Sequence, residues 1–249
     1  MLTCTLLVAL PACANKTKTP GAPAASGRLT VFAAASLTEA FGDVKTTLEA
    51  ANKDLSIAYS FGGSGALVTQ IQQGAPADVI ATADEPSMQK LAAAGLIENP
   101  VVFAGNELEI LVGVGNRKSI NGLEDLARPD VLFVTEDDSV PAGKYTAQML
   151  SGAGITAHPK SKELDVKAAV AKVITGEADA TVVYVTDVLA AGGKAQGVVI
   201  PASQNVKARY VIARVKGATH RSAATAFYNW IVKGAGRAAL TKRGFVGPS

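Results

Sequence analysis

Residues 60–67 read SFGGSGAL, and residues 31–37 read VFAAASL. Each stretch places one serine, Ser64 or Ser36, among small residues directly after a run of strand-forming residues, and neither serine has a basic neighbour. Glycine costs about 1 kcal/mol relative to alanine in a helix, so the glycines around Ser64 suggest that the backbone there approaches another group closely. Free amides, a helix dipole and a hydroxyl would then converge, which predicts a site that holds an anion without a formal positive charge.

Ser36 also has a purely structural interpretation. Together with Glu39 it fits a capping box, in which the serine and glutamate side chains satisfy first-turn amides of the following helix. From local sequence alone, this structural role is favoured over a role in binding.

Apolar strand-like runs alternate with helical patterns from Arg28 onward. This alternation predicts an α/β protein with largely parallel sheets, and the nearly continuous apolar character of the runs indicates helices on both faces. Periodicity does not say whether there are one or two sheets. Glycines at positions 74, 95, 176 and 192 fall where helices should end. The predicted strands are residues 29–33, 55–61, 78–83, 108–114, 131–135, 180–185, 198–200 and 209–215.

The composition excludes several classes of function. The chain has 249 residues, 48% of them hydrophobic, and a formal charge of +3, with no basic stripe that would suit a nucleic acid. The only cysteines are Cys4 and Cys13, so no disulfide or thiolate is available to the body of the protein. His158 and His220 lie far apart without ligand-like neighbours, so no metal site is expected.

The N-terminal residues resemble an export signal. Residues 1–14, MLTCTLLVALPACA, form an apolar block too short to span a membrane, which needs about 20 residues, and fit a secretory or lipoprotein signal segment. In the lipoprotein interpretation, Cys13 carries the lipid and anchors the protein to the membrane. Residues 15–27 read as a flexible linker. We therefore expect an exported protein in the periplasm or cell envelope.

Three later segments could also supply donors to a ligand. Pro141 suits a first helical turn and would leave the Ala142 and Gly143 amides free. Asp165 is a plausible cap for the helix that begins near Val166. Tyr184 stands at the C-terminal end of a predicted strand, where ligands of open α/β sheets bind. Local sequence leaves a structural role open at Pro141 and Tyr184, and it favours a structural role at Asp165.

Enzymatic motifs are incomplete in this chain. FGGSGA would need a glycine at Ala66 to form a serine nucleophile elbow, and it lacks the Lys-Ser/Thr ending of a nucleotide phosphate loop. We expect neither catalysis nor a cofactor.

Six segments, in order, resemble the molybdate-binding periplasmic proteins of ABC importers. They are VFAAASLTEAF, SFGGSGAL, QGAPADVIATAD, SVPAGKYT, ELDVKAAV and TVVYVTDV, and the resemblance covers residue 28 to the C-terminus. It implies a two-lobed, type II solute-binding fold, in which each lobe is a mixed, mostly parallel sheet flanked by helices. Lobe one would comprise residues 28–107 and 207–249, lobe two residues 108–206, with the ligand in the cleft between them.

The resemblance also implies which residues bind the ligand. Ser36 and Ser64 would donate hydroxyl and amide hydrogen bonds, Ala142 and Val166 backbone amides, and Tyr184 its phenolic hydroxyl. Molybdenum itself would not be ligated by the protein. Relatives often carry further hydroxyl residues where this chain has glycines around Ser64. The implied partners are molybdate or tungstate and the permease and ATPase subunits of the importer, with the protein itself a monomer.

The chemistry of the ligand fits this donor set. Molybdate and tungstate are dianions without a proton near neutral pH, so they require donors and no carboxylate. Phosphate normally carries a proton and favours a site with an acceptor. A binding protein for sulfate or another small tetrahedral oxyanion remains the alternative, because only cavity size would exclude sulfate.

Overall fold

The computed structural model describes residues 25–248. The predictions for residues 1–14, for Cys13 and for the linker up to residue 24 therefore lie outside the described residues. In the part of the chain that is described, no helix is both long and apolar enough to cross a membrane.

Strands and helices alternate along most of the described chain. The strands are β1 (Gly27–Ala34), β2 (Leu55–Gly62), β3 (Val79–Thr82), β4 (Ile97–Asn106), β5 (Leu108–Gly113), β6 (Thr135–Glu136), β7 (Lys162–Glu163), β8 (Ala180–Tyr184), β9 (Ala195–Val199) and β10 (Ala208–Val215). The helices are α1 (Thr38–Ala51), α2 (Ser64–Gln72), α3 (Glu85–Ala93), α4 (Pro141–Gly152), α5 (Val166–Thr175), α6 (Val185–Ala191), α7 (Arg221–Lys233) and α8 (Gly236–Lys242). The four glycines predicted to end helices all have positive φ angles, from 56° to 88°.

Five strands form the first sheet, in the order β2-β1-β3-β10-β4. β1 pairs in parallel with β2 and β3, whereas β10 runs antiparallel to β3 and β4. Strand β10 comes from the far end of the chain, so two separate segments build this sheet. Strand β4 was not predicted, because Asn99 and Pro100 interrupt its apolar pattern; as an edge strand it tolerates proline.

Three strands form the second sheet, in the order β8-β5-β9, and both of its pairings are antiparallel. The prediction of a mostly parallel sheet is therefore wrong for this lobe. An apolar run indicates that both faces of a strand are buried, but it does not predict whether the neighbouring strand is parallel or antiparallel. The predicted strand at 131–135 is reduced to β6, which pairs with β7, and to a single bridge between Phe133 and Ala180.

Helices cover both faces of the first sheet. Val31 and Phe32 are neighbours on β1, yet Val31 packs into the cluster that contains Phe41 and Phe227, while Phe32 packs with Leu67 of α2. Phe41 lies edge-on to Phe227, with ring centroids 5.7 Å apart, which fixes α1 against α7. Burying each such ring contributes about 1.5–3 kcal/mol. These contacts pack the helices against the sheet that carries the turns after β1 and β2.

Candidate binding site

A cleft lies between the two lobes, at the carboxyl ends of β1 and β2. These strands are paired in register up to Ala34 and Gly62, so the turns that follow them lie side by side. The N-termini of α4 and α5 face these turns from the second lobe. The cleft is lined by Ala34, Ala35, Ser36, Gly62, Gly63, Ser64, Ala83, Val140, Pro141, Asp165, Val166 and Tyr184.

Four of the five residues predicted to bind a ligand line this cleft: Ser36, Ser64, Val166 and Tyr184. The fifth, Ala142, is fully buried and directly follows the cleft residues Val140 and Pro141. Residues separated by up to 148 positions in sequence are thus brought to one place.

Ser36 does not cap a helix, so the capping-box prediction is wrong. It lies in a 3₁₀ turn, Ala35–Leu37, and α1 begins after it without a side-chain cap. Its Oγ lies 2.8 Å from the hydroxyl oxygen of Tyr210. Glu39, the other half of the predicted box, instead accepts from Lys167 of the second lobe at 2.8 Å. The tertiary structure supplies both side chains with partners that local sequence cannot reveal.

Ser64 is the first residue of α2 and is completely buried. Its Oγ accepts the backbone N–H of Ala83 at 3.1 Å, which leaves the serine proton available to donate. As a first-turn residue it also has a backbone amide without a partner inside the helix. Ser64, which lines the cleft, thus has a hydroxyl proton and a backbone amide that no hydrogen bond within the helix uses.

Two helix N-termini of the second lobe lie at the cleft. Pro141 is the first residue of α4, as predicted, and Asp165 is the N-cap of α5. The Asp165 carboxylate accepts from the amides of Lys167 and Ala168, at 2.9 and 3.0 Å, rather than from Val166. First-turn amides such as those of Ala142 and Val166 have no partner inside their helices, and the helix dipoles favour negative charge there.

Tyr184 presents a buried hydroxyl to the cleft. Its side chain is 1% exposed, and its hydroxyl has no hydrogen-bond partner among the described residues. Burial raises the pKa of Tyr184 well above its usual value, so the hydroxyl keeps its proton. Leaving such a group unpaired costs about 1–3 kcal/mol, so the site favours a ligand that accepts a hydrogen bond.

Glycines bring the two lobes into close contact around the cleft. A Cβ atom on Gly63 would lie 2.6 Å from the carbonyl oxygen of Leu164, and one on Gly65 would lie 2.5 Å from that of Ser139. The predicted close approach at these glycines therefore involves the backbone of the opposite lobe. Because glycine has no Cβ atom, Gly63 and Gly65 allow the two lobes to approach this closely.

Ion pairs also join the lobes. Lys167 lies 2.8 Å from Glu39 across the cleft and 2.9 Å from the buried Asp187 of its own lobe. Lys144 reaches the buried Asp84 at 3.2 Å. These pairs were not identified from the sequence, because Lys167 and Glu39 lie 128 residues apart and Lys144 and Asp84 lie 60 residues apart.

Glu136 is a buried acid in the second lobe. It is fully buried, and neither of its carboxyl oxygens has a hydrogen-bond partner among the described residues. Burial raises the pKa of Glu136 well above its usual range, and the nearby Asp187 raises it further. The structure therefore favours a neutral, protonated Glu136.

Replacing Glu136 with glutamine is expected to stabilise the protein increasingly as the pH rises. Because the folded-state pKa is raised, the stability contributed by wild-type Glu136 is complete below the unfolded pKa, about 4.3, and is lost as pH rises through the folded pKa. Glutamine cannot ionise, so Glu136→Gln should unfold a few °C higher than wild type at pH 8 and show a smaller gain at pH 5. Thermal unfolding across this range, with the exposed Glu124→Gln as control, measures the difference; parallel curves would contradict it.

Among residues 25–248, no group of three or more histidine, cysteine or acidic side chains is arranged to hold a metal ion.

A two-lobed α/β structure, with donors from strand ends and helix N-termini converging in the cleft, defines a solute-binding protein. The chain belongs to the bacterial extracellular solute-binding protein family, whose sequence profile matches residues 29–246. It is 38% identical over 247 residues to the molybdate-binding protein ModA of Mycobacterium tuberculosis (strain H37Rv), covering 98% of this chain and 95% of the relative. The resemblance drawn from the six motifs and the two-lobed α/β fold are thereby confirmed.

Solved structures share the fold at lower identity. The Azotobacter vinelandii periplasmic molybdate-binding protein superposes with a TM-score of 0.75 and 21% identity, over 89% of this chain and 100% of that one. The sulfate-binding protein SubI from Mycobacterium tuberculosis H37Rv gives 0.74 and 22%, over 88% and 86%. The fold alone therefore does not distinguish between the ligands of these two proteins.

Proposed function

We propose that the chain is the substrate-binding component of an ABC importer for molybdate and tungstate. The observation that carries the proposal is the buried, unpartnered hydroxyl of Tyr184 in a cleft that also contains Ser36 and Ser64. The 38% identity to a protein named molybdate-binding protein supports molybdate in particular.

The donors of the cleft are suited to a tetrahedral dianion. Three helix N-termini, those of α2, α4 and α5, contribute amides, and three side chains contribute hydroxyl groups. One carboxylate, Asp165, lines the cleft although none was expected there, but its Oδ1 accepts two amides of α5. The ligand would therefore be held by neutral N–H and O–H groups.

The transport cycle would follow from closure of the lobes. The protein would capture the oxyanion outside the cytoplasm, close around it as Gly63 and Gly65 allow, and deliver it as a monomer to the permease and ATPase subunits. Attachment to the membrane by a lipid on Cys13, and residence in the periplasm or cell envelope, belong to this proposal. The role is binding rather than catalysis.

Sulfate is the alternative ligand, since a sulfate-binding protein shares the fold and sulfate also carries no proton at neutral pH. Native mass spectrometry and titration calorimetry with molybdate, tungstate, sulfate and phosphate separate the possibilities. We expect stoichiometric binding of molybdate and tungstate that a large excess of sulfate does not displace. Displacement by sulfate would favour the alternative, and failure to bind any of the four would overturn the proposal.

A further inference from the structure

A tyrosine outside the cleft lining contacts one of the cleft serines. Tyr210 of β10 is completely buried, and its hydroxyl oxygen lies 2.8 Å from the Oγ of Ser36, 174 residues earlier in the chain. Its ring packs edge-on to that of Tyr184, with centroids 5.6 Å apart. Tyr210 therefore stands directly behind two of the proposed donors.

Which hydroxyl donates in the hydrogen bond between Ser36 and Tyr210 depends on the acceptors that are available to the two protons. The two hydroxyls share one hydrogen bond, so one proton lies between them and the other must find a different acceptor. If Tyr210 donates, the proton of Ser36 is free to point into the cleft. If Ser36 donates, the buried proton of Tyr210 needs another acceptor. The other side chain beside the Tyr210 hydroxyl is Asn106, whose Nδ2 can only donate and whose Oδ1 already accepts the N–H of Glu107 at 3.0 Å. Burial raises the pKa of Tyr210 well above its usual value, so its proton is retained.

The same arrangement occurs at the second serine. The Oγ of Ser64 accepts the N–H of Ala83, a donor that cannot be reversed. With Tyr210 as the donor to Ser36, both cleft serines receive a hydrogen bond from a protein donor behind them, at 2.8 Å and 3.1 Å. Each is left with its proton to donate toward the ligand.

We propose that Tyr210 is a positioning residue that fixes Ser36 as a hydrogen-bond donor and thereby favours oxyanions without a proton over those that carry one. This proposal rests on the proposed function. Hydrogen phosphate has an O–H group that must donate to an acceptor inside the closed cleft. With one lone pair of the Ser36 Oγ taken by Tyr210 and the serine proton directed at the ligand, Ser36 meets that O–H group as a donor and not as an acceptor. A buried unpaired donor is costly.

The substitution Tyr210→Phe keeps the ring and removes the hydroxyl. We expect molybdate affinity to fall about 2- to 10-fold, the usual effect of one hydrogen bond, and the ratio of phosphate to molybdate dissociation constants to decrease. In a Ser36→Ala background, Tyr210→Phe should change molybdate affinity by less than about 2-fold, because the Tyr210 hydroxyl affects binding only by orienting the Ser36 hydroxyl. Titration calorimetry with molybdate and with inorganic phosphate on all four proteins measures this double-mutant cycle.

Tyr59→Phe is the matched control, since Tyr59 lies in the same sheet and its hydroxyl donates to the carbonyl of Phe41 at 2.9 Å. Equal losses from Tyr210→Phe with and without Ser36, or an unchanged phosphate-to-molybdate ratio, would overturn the proposal while leaving molybdate binding by wild type intact. Absence of binding by wild type would instead overturn the proposed function. If Tyr210→Phe does not fold, neutron diffraction from wild-type crystals with molybdate decides: a deuteron bonded to the Tyr210 oxygen supports the proposal, and one bonded to Ser36 and directed at Tyr210 refutes it.

Discussion

Replacing Gly65 with alanine is expected to weaken molybdate binding by roughly 10- to 100-fold. In the closed structure, the added Cβ would lie 2.5 Å from the carbonyl oxygen of Ser139 in the opposite lobe. Backbone cannot give way as a flexible side chain can, and overpacking of this kind costs about 1–3 kcal/mol. The clash raises the free energy of the closed, ligand-bound state only, so it makes the binding free energy less favourable by the same amount.

The same substitution should have the opposite effect on the ligand-free protein. Gly65 lies in the first turn of α2, and alanine in a helix is more stable than glycine by about 0.5–1 kcal/mol. With the lobes apart, no clash offsets this gain. Calorimetric titration with molybdate and thermal unfolding without it should therefore show weaker binding together with equal or higher stability.

Gly42→Ala provides the control for Gly65→Ala. Gly42 lies in α1, and a Cβ there would meet nothing within 4 Å. It should raise stability similarly and leave molybdate affinity unchanged. Wild-type affinity in Gly65→Ala would show that the lobes do not close to the distance seen in this structure.

Replacing Tyr184 with phenylalanine is expected to weaken molybdate binding by about 1–3 kcal/mol, or roughly 5- to 100-fold. The phenolic hydroxyl is buried without a partner among the described residues, so a bound oxyanion would be the group that satisfies it. Removing the hydroxyl deletes a donor from the complex. In the ligand-free protein it removes an unpaired polar group, so stability should be unchanged or higher.

Titration calorimetry and ligand-free thermal unfolding test the Tyr184→Phe prediction, with Tyr59→Phe again as control. Tyr59 donates to a backbone carbonyl of its own lobe, so its substitution should affect stability without affecting binding. Full molybdate affinity in Tyr184→Phe would remove Tyr184 from the binding site.

Much of the candidate site could be predicted because its determinants are local. A strand followed by small residues and a serine places that serine at the end of a sheet, and proline or aspartate at a helix start predicts an N-terminus with free amides. These rules located Ser64, Pro141 and Asp165 correctly. The strand-end rule also placed Ser36 correctly, whereas the capping-box rule misjudged its structural role, because a capping box and a 3₁₀ turn before a helix share the same local pattern.

The order of residues along the chain is enough to predict the alternation of strands and helices, the lack of basic neighbours beside the two serines in sequence, and the types of donor available to a ligand. The antiparallel direction of the second sheet, the partner of Ser36 and the contact of Gly65 with the opposite lobe are set by packing in three dimensions. Local patterns record burial and backbone preferences over a few residues. Strand direction, hydroxyl orientation and lobe contact depend instead on residues that are distant in sequence. Ser36 and Tyr210, for example, are 174 residues apart and meet only when the chain has folded.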